Sequence, residues 1–428
     1  MLQQRTSQAL LAVFALTLVA GSLLEDTLRP RVQALISLAG QGNEQVFLGR
    51  AGWMYFRPSL EHVWGAPIGD ARPAISHFRE ELQRAGIELV VVPVPVKVSI
   101  DGSAMGSPAH PVNAGWHDFI TDLERYEIPH VNAQKVLHKR VGDQYLRTDT
   151  HWRPEAMDAV SERVAQVIHR LGLPSRPQLA RESEVVEGYG DLVELLGRGT
   201  RGIAPERVSI WTLEAGQQDT RGAPILLIGD SFANVYADPT LGFGEGGGMA
   251  AALSSHLGVP VDSLLQNDGG ASKTRIALQD DIGRLDETLV VVWVFSAREL
   301  SFGEWTLTPL GLDTPDVGES PYLAIPAGEQ VDFSGVILAM SEVPTPASAP
   351  YANHLVTLRV QADGGGEGFV RAWSMRNRVL TPLAQAAVGS RFESTLAPWA
   401  EAPPHVQSSS RSELSERPRG APVLWGVP

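Results

Sequence analysis

At 428 residues the chain is longer than one hydrophobic core usually supports, which predicts two folded units plus flanking segments. With 43% hydrophobic and 20% charged residues it has the composition of a globular protein, so disorder is excluded as its main state. Its 35 basic and 49 acidic side chains give a formal charge of −14 without any Lys/Arg-rich block, which excludes nucleic acid as an expected partner; the absence of Cys excludes disulfides, thiolate metal sites and a cysteine nucleophile.

The N-terminus carries a short, mildly basic stretch, Met1 to Arg5, followed by an apolar run from Ala9 to Leu24 interrupted only by Thr17, Gly21 and Ser22. This pattern predicts a signal peptide or a short signal anchor within residues 1–30; a buried core helix is the alternative. Val19-Ala20-Gly21 matches a small-residue cleavage site only loosely, so cleavage and retention are both open. The expectation is export across a bacterial inner membrane into the periplasm, with the segment kept as an anchor.

A polar, helix-capable connector spans Glu25 to Gly42, and Leu48 to Phe56 reads as a hairpin with a glycine turn. Helical spacing predicts a helix over 75–85, and the β-branched run 88–96 predicts a strand covered on both faces, with Pro93 and Pro95 placing its C-terminal half at a sheet margin. Helices are expected near 116–125 and 155–171, a strand at 224–228, a helix at 249–257, a strand at 259–265, a helix at 274–285 and a strand at 289–295. The alternation predicts an α/β sandwich with a mostly parallel sheet over residues 31–310. Beyond Trp305 the pattern becomes all-β. Strands are expected at 331–340, 355–360, 369–375 and 391–396, forming a small accessory domain over 320–400 that suits an OB-like barrel. From 401 to 428 a Pro/Ser/Arg-rich segment reads as a weakly ordered tail.

The chemistry concentrates where the strand at 224–228 runs into Gly229-Asp230-Ser231-Phe232. Such a position at the C-terminal edge of an open α/β sheet is where ligands bind, and Ser231 at the crest of a tight turn has its own backbone N–H available to an oxyanion. A serine needs a base. His151 lies in Thr148-Asp149-Thr150-His151-Trp152, ahead of a helix that Pro154 can begin. Asp149 can aim its carboxylate at Nδ1 and leave Nε2 to take the serine proton. The alternative is that Asp149 or Thr150 caps the helix and His151 packs on Trp152.

Taken together, Gly-Asp-Ser-Phe after a strand, Thr-Asp-Thr-His-Trp upstream of it and Gly52-Trp53 near the start resemble the alginate O-acetyltransferase family of the AlgJ/AlgX type, over roughly residues 45 to 305. The resemblance implies an SGNH-hydrolase-like domain in which the Asp and His precede the serine, unlike ordinary SGNH hydrolases that carry them near the C-terminus. It implies Ser231 as nucleophile, His151 as general base and Asp149 as orienter. It further implies acetyl transfer to an exopolysaccharide acceptor in the periplasm, with acetyl groups supplied by a membrane-bound partner acyltransferase. The alternatives are an SGNH acetylesterase with the same residues and a non-catalytic scaffold or glycan-binding subunit of a polysaccharide-export machine.

Candidates for a second oxyanion or substrate contact are Asn234, Asn267 and Arg298, each with an ordinary turn or salt-bridge role as its alternative. The run Gly242 to Gly248 lacks the Lys-Ser/Thr of a P-loop and reads as a flexible lip over the site. No cofactor is expected, and no metal, because no His/Asp/Glu cluster has ligand spacing. Trp373 and Trp399 with Arg371, Arg376 and Arg378 allow sugar stacking in the β domain, against a core role for the tryptophans.

Overall fold

The structure is a computed structural model that describes residues 42–105, 110–174, 176–214, 220–312, 321–346, 349, 351–414, 417–418 and 421–427. The expected signal segment and most of the connector after it lie outside the described residues. Among those residues no helix is long and apolar enough to cross a membrane.

Four parallel strands form the central sheet: β1 (Glu88–Val94), β2 (Ile225–Gly229), β3 (Val261–Leu265) and β4 (Val290–Ser296), in the order β1-β4-β2-β3. Their side chains alternate between two cores. Val90, Val92 and Val94, Ile225 and Leu227, and Val290, Val292 and Val294 face one side, against α3 (Pro154–Arg170) and α4 (Met249–Leu257). Leu89 and Val91, Leu226 and Ile228, and Val291, Trp293 and Phe295 face the other, against α1 (Arg72–Arg84), α2 (Trp116–Arg125) and α5 (Lys273–Asp280). Continuous apolar runs are therefore required, because both faces are dry. At roughly 1.5–3 kcal/mol for each fully buried aliphatic side chain, these strands supply much of the driving force for the domain. Pro93 is tolerated because β1 is the outermost strand of the sheet.

Several elements depart from the sequence reading of this domain, the unexpected helices Arg57–Trp64, Ala133–Leu137 and Asp191–Leu196 among them. An antiparallel ribbon, Arg181–Gly188 paired with Glu206–Leu213, was not expected. Its first strand, Arg-Glu-Ser-Glu-Val-Val-Glu-Gly, is mostly exposed and lacks the apolar alternation of a half-buried strand. The predicted helix over 274–285 ends at Asp280, and a separate 3-10 turn follows at Ile282–Leu285.

The C-terminal unit closes on itself. Its strands β5 (Val331–Met340), β6 (His354–Ala362), β7 (Glu367–Arg376), β8 (Arg391–Pro398) and β9 (Val423–Val427) pair in the cyclic order β5-β6-β7-β9-β8 and back to β5. This five-stranded barrel leaves little open edge. Here the reading of a weakly ordered tail beyond residue 401 is corrected. Val423–Val427 inserts between β7 and β8, with Leu424 and Trp425 buried. Without it the barrel would be open and Trp425 would lose the T-shaped contacts it makes with Trp373 and Trp399. The tryptophans thus serve the packing, the second of the two roles their sequence positions allowed.

Barrel and sandwich are joined through buried charge. Arg371, fully buried on β7, stacks over Trp399 and pairs with Asp280 at the end of α5 (2.8 Å) and with Glu413 (2.7 Å). Arg371→Ala would leave buried carboxylates under-compensated, and we expect a loss of roughly 3 kcal/mol. Urea unfolding monitored by tryptophan fluorescence checks this; a loss under about 1 kcal/mol, the range of exposed pairs, would contradict it.

Candidate active site

Ser231, Asn267 and Arg298 lie just beyond the C-terminal ends of β2, β3 and β4, so the parallel order of three adjacent strands delivers them to one sheet edge. Ser231 opens the short helix Ser231–Asn234, where its N–H has no intrahelical acceptor. Asp230 fixes this turn. One carboxylate oxygen accepts the N–H of Phe232 (3.0 Å) and the other the N–H of Ser296 at the end of β4 (2.9 Å), clamping two strand ends together. Gly270 is required beside it, since a Cβ there would stand 2.6 Å from Asp230 Oδ2.

The loop carrying His151 arrives from 80 residues earlier in the chain, and its neighbours hold it against the serine turn. Trp152, fully buried, donates its indole N–H to the carbonyl of Phe232 (2.9 Å) and accepts from the Tyr236 hydroxyl at its own carbonyl (2.6 Å). Phe232 packs edge-on against both the His151 and Trp152 rings. Behind the loop, Glu206 accepts the Arg147 and Thr148 N–H groups (2.8 and 2.6 Å) and the Thr148 hydroxyl (2.6 Å). Lys97 donates to the carbonyls of Met54, Arg147 and Asp149 (2.6, 2.8 and 3.0 Å). Burial pulls the Lys97 ammonium down to about 8, against nearby carboxylates that favour its charge.

The outcome is a continuous line of hydrogen bonds. His151 Nε2 lies 2.7 Å from Ser231 Oγ, and His151 Nδ1 lies 2.6 Å from Asp149 Oδ1. Of the two roles open to His151 in the sequence, the structure places it in hydrogen-bond range of both partners. Asp149 also accepts the His151 N–H at Oδ1 and the Asp191 N–H at Oδ2, each at 2.8 Å. Burial raises Asp149, but the His151 charge and these hydrogen bonds outweigh it and hold the carboxyl below its usual range. Burial likewise lowers His151, and the Asp149 charge and hydrogen bond, with Asp191 behind, more than reverse it, so the imidazole is raised.

Asp191 is the acid that sequence reasoning missed. It accepts from the Thr150 N–H (2.8 Å) and hydroxyl (2.5 Å), and its Oδ2 is 3.9 Å from His151 Nδ1. Burial, then repulsion from Asp149, raises it to about 6. Nothing in Gly190-Asp191 signals this, because the contact depends on Gly190: a Cβ there would lie 2.2 Å from the Thr148 carbonyl oxygen and 2.6 Å from Asp149 Cβ. No His/Asp/Glu cluster has ligand spacing in the sequence, yet the fold brings ligand-type atoms of Asp149, His151 and Asp191 within 4.8 Å of one another. Those atoms serve the hydrogen bonds just described.

The other candidates divide. Asn234 donates its amide to Asn267 Oδ1 (2.9 Å), and Asn267 donates its own to Asp238 Oδ2 (3.1 Å), so both amides build a buried chain beside the serine. Neither is hydrogen-bonded to Ser231 Oγ. Arg298 does reach the site, its guanidinium 5.9 Å from the Phe232 ring centroid and 5.4 Å from that of Phe56. The run Gly242 to Gly248 is tied down at two points. Phe243 within it is fully buried against Tyr236, and Gly247 donates to the Tyr236 carbonyl (2.7 Å). A further hydroxyl arrives from the second domain: Tyr351 donates to Ser231 Oγ at 2.7 Å.

A model of the family described as SGNH hydrolase-like domain, acetyltransferase AlgX, matches residues 46–297. Among curated proteins, the chain is 27% identical over 300 residues to a probable alginate O-acetylase AlgJ of Pseudomonas aeruginosa, covering 62% of this chain and 72% of that protein. It is 26% identical over 287 residues to the protein of the same description from Pseudomonas fluorescens, covering 61% and 70%. Similar solved structures include the O-acetyltransferase domain of Pseudomonas putida AlgJ (23% identity, TM-score 0.48, 60% of this chain and 92% of that one). Pseudomonas aeruginosa AlgX is another (14% identity, TM-score 0.46, 83% and 91%).

Because Asp149 is what raises His151, Asp149→Asn should move the acid limb of the pH–rate profile to lower pH. The plateau should fall by about 10³–10⁴-fold through loss of the correct tautomer. A pH series of kcat/KM with an activated acetyl ester reads both; an unmoved acid limb would contradict this assignment of the base.

Proposed function

Since the chain belongs to the SGNH hydrolase-like AlgX acetyltransferase family, we propose that it moves acetyl groups onto hydroxyls of an exported polysaccharide by way of an acyl-Ser231 intermediate. The observation that carries this reading is the unbroken line from Asp149 through His151 to Ser231 Oγ, with distances of 2.6 and 2.7 Å. His151 Nε2 takes the serine proton as Oγ attacks the acetyl carbonyl, and the Ser231 N–H supports the oxyanion. The proton passes from His151 to the departing donor group. In the second half His151 deprotonates a sugar hydroxyl, which attacks the acyl-serine; collapse returns the proton to Oγ and leaves acetylated sugar. Asp149 stays ionised throughout and stabilises the imidazolium.

The relatives described as alginate O-acetylases support an exopolysaccharide as acceptor. We extend this to a periplasmic setting, an inner-membrane tether through the N-terminal segment and an acetyl donor passed on by a membrane-bound acyltransferase. We assign Arg298, whose guanidinium is 5.9 Å from the Phe232 ring centroid, to an anionic group of donor or acceptor. An esterase would use the same residues, and the outcome turns on whether a sugar hydroxyl or water meets the acyl-enzyme.

Intact mass spectrometry after incubation with an activated acetyl ester tests the mechanism. We expect a transient acetyl adduct in the wild type and none in Ser231→Ala, with acetylated sugar when oligosaccharide is added. Acetate release that ignores the sugar would replace transferase by esterase. Near-normal turnover in Ser231→Ala would end the serine reading.

A further inference from the structure

The C-terminal barrel does more than sit beside the sandwich. Tyr351, just ahead of β6, has its hydroxyl 2.7 Å from Ser231 Oγ. Among the described residues, that oxygen has two hydrogen-bond partners, His151 and Tyr351. The serine hydroxyl donates to Nε2 and so receives from the phenol.

The approach is held by specific contacts. Arg378, in the turn after β7, donates from its guanidinium to the carbonyls of Pro346 and Ala349 (2.9 and 3.1 Å), and its backbone N–H donates to the carbonyl of Ala352 (2.7 Å). The same guanidinium pairs with Glu194 (2.7 Å), on the helix Asp191–Leu196 that begins with the acid behind His151. One arginine thus ties the Tyr351 segment to the part of the sandwich that supports the base. A second tie runs from Ser408, whose hydroxyl bonds Asp238 (2.8 Å) and whose carbonyl accepts the Asn267 N–H (2.8 Å), into the asparagine chain that ends at Asn234 on the serine helix.

Those asparagines are two of the three residues the sequence offered as second oxyanion or substrate contacts, and Asn234 donates to Asn267 while Asn267 donates to Asp238. The phenol, by contrast, is hydrogen-bonded to Ser231 Oγ itself. Resting on the acyl-serine mechanism above, we propose that Tyr351 is a catalytic residue contributed by the barrel, donating to Ser231 Oγ in the free enzyme and to the oxyanion once Oγ has attacked. Oxyanion and Oγ are bonded to the same carbon, so a donor seated on Oγ needs only a small shift to follow the charge. An ester Oγ is a poor acceptor, which releases the phenol for that shift. Tyr351 keeps its proton at every step; the transferred proton travels through His151 alone. Burial holds the phenol well above its usual range, so the O–H is present wherever His151 is a competent base. The site of the transferase is on this view a composite of both domains, and the sandwich alone lacks one donor.

Tyr351→Phe in the full chain tests this, assayed beside wild type and Ser231→Ala with an activated acetyl ester. Removing one oxyanion donor costs about 10²–10³-fold in turnover, so we expect a drop of at least about thirtyfold in kcat with KM and melting temperature near wild type. A loss under about tenfold, a gain in rate or a loss carried by KM would overturn the proposal, a gain pointing instead to a gate. In each of these cases an inactive Ser231→Ala leaves the serine mechanism standing; an active Ser231→Ala defeats that mechanism whatever Tyr351→Phe does.

Discussion

An ionised carboxylate buried to 1% exposure is costly unless donors surround it, and Asp149 is such a group. Its oxygens receive the His151 imidazole, the His151 N–H and the Asp191 N–H, and Lys97 holds its backbone carbonyl. Much of the site follows from meeting that requirement. Gly190 must lack a side chain so that the Asp191 N–H comes close. Glu206 must anchor the loop from behind, and Trp152 must bind the Phe232 carbonyl to bring imidazole and hydroxyl together. The Asp191, Glu206 and Trp152 contacts each span a large sequence separation, which makes the hydrogen-bonded line from Asp149 to Ser231 a product of the whole sandwich.

The two domains are bound by the same logic of compensated burial. Arg371, Arg411 and Arg417 from the barrel side meet Asp280 and Glu413, and Ser408 joins the Asp238–Asn267–Asn234 chain. Buried pairs of this kind add little net stability compared with apolar packing, but they are strict about geometry. Strict geometry is what a hydroxyl delivered from a second domain to Ser231 Oγ needs. The hydrogen-bonded line to Ser231, the Tyr351 contact and the interdomain charges are thus parts of one physical arrangement.

Much of the sandwich was legible because its strands are dry on both faces and therefore written as unbroken β-branched runs; Glu88–Val94 and Val290–Ser296 are examples. The ribbon Arg181–Gly188 was illegible for the opposite reason: its exposed face leaves charge where a pattern would be. Ser231, His151 and Asp149 could be singled out because their local context is distinctive. Asn234 and Asn267 looked equally suitable for chemistry, yet which partner an amide finds is set by what stands opposite it, and here they found each other.

The sequence by itself determined the class of fold, the strand that ends in Gly229-Asp230-Ser231 and the residue types of the catalytic line, since hydrophobic periodicity and short motifs are local properties of the chain. Tertiary structure alone decided the rest. It brought Asp191 behind His151, set Glu206 and Lys97 under the loop, drew Val423–Val427 into the barrel and carried Tyr351 to the serine. These contacts join residues between about twenty-five and a hundred and twenty positions apart, and no local pattern encodes a pairing whose energy depends on burial that exists only after both domains have closed.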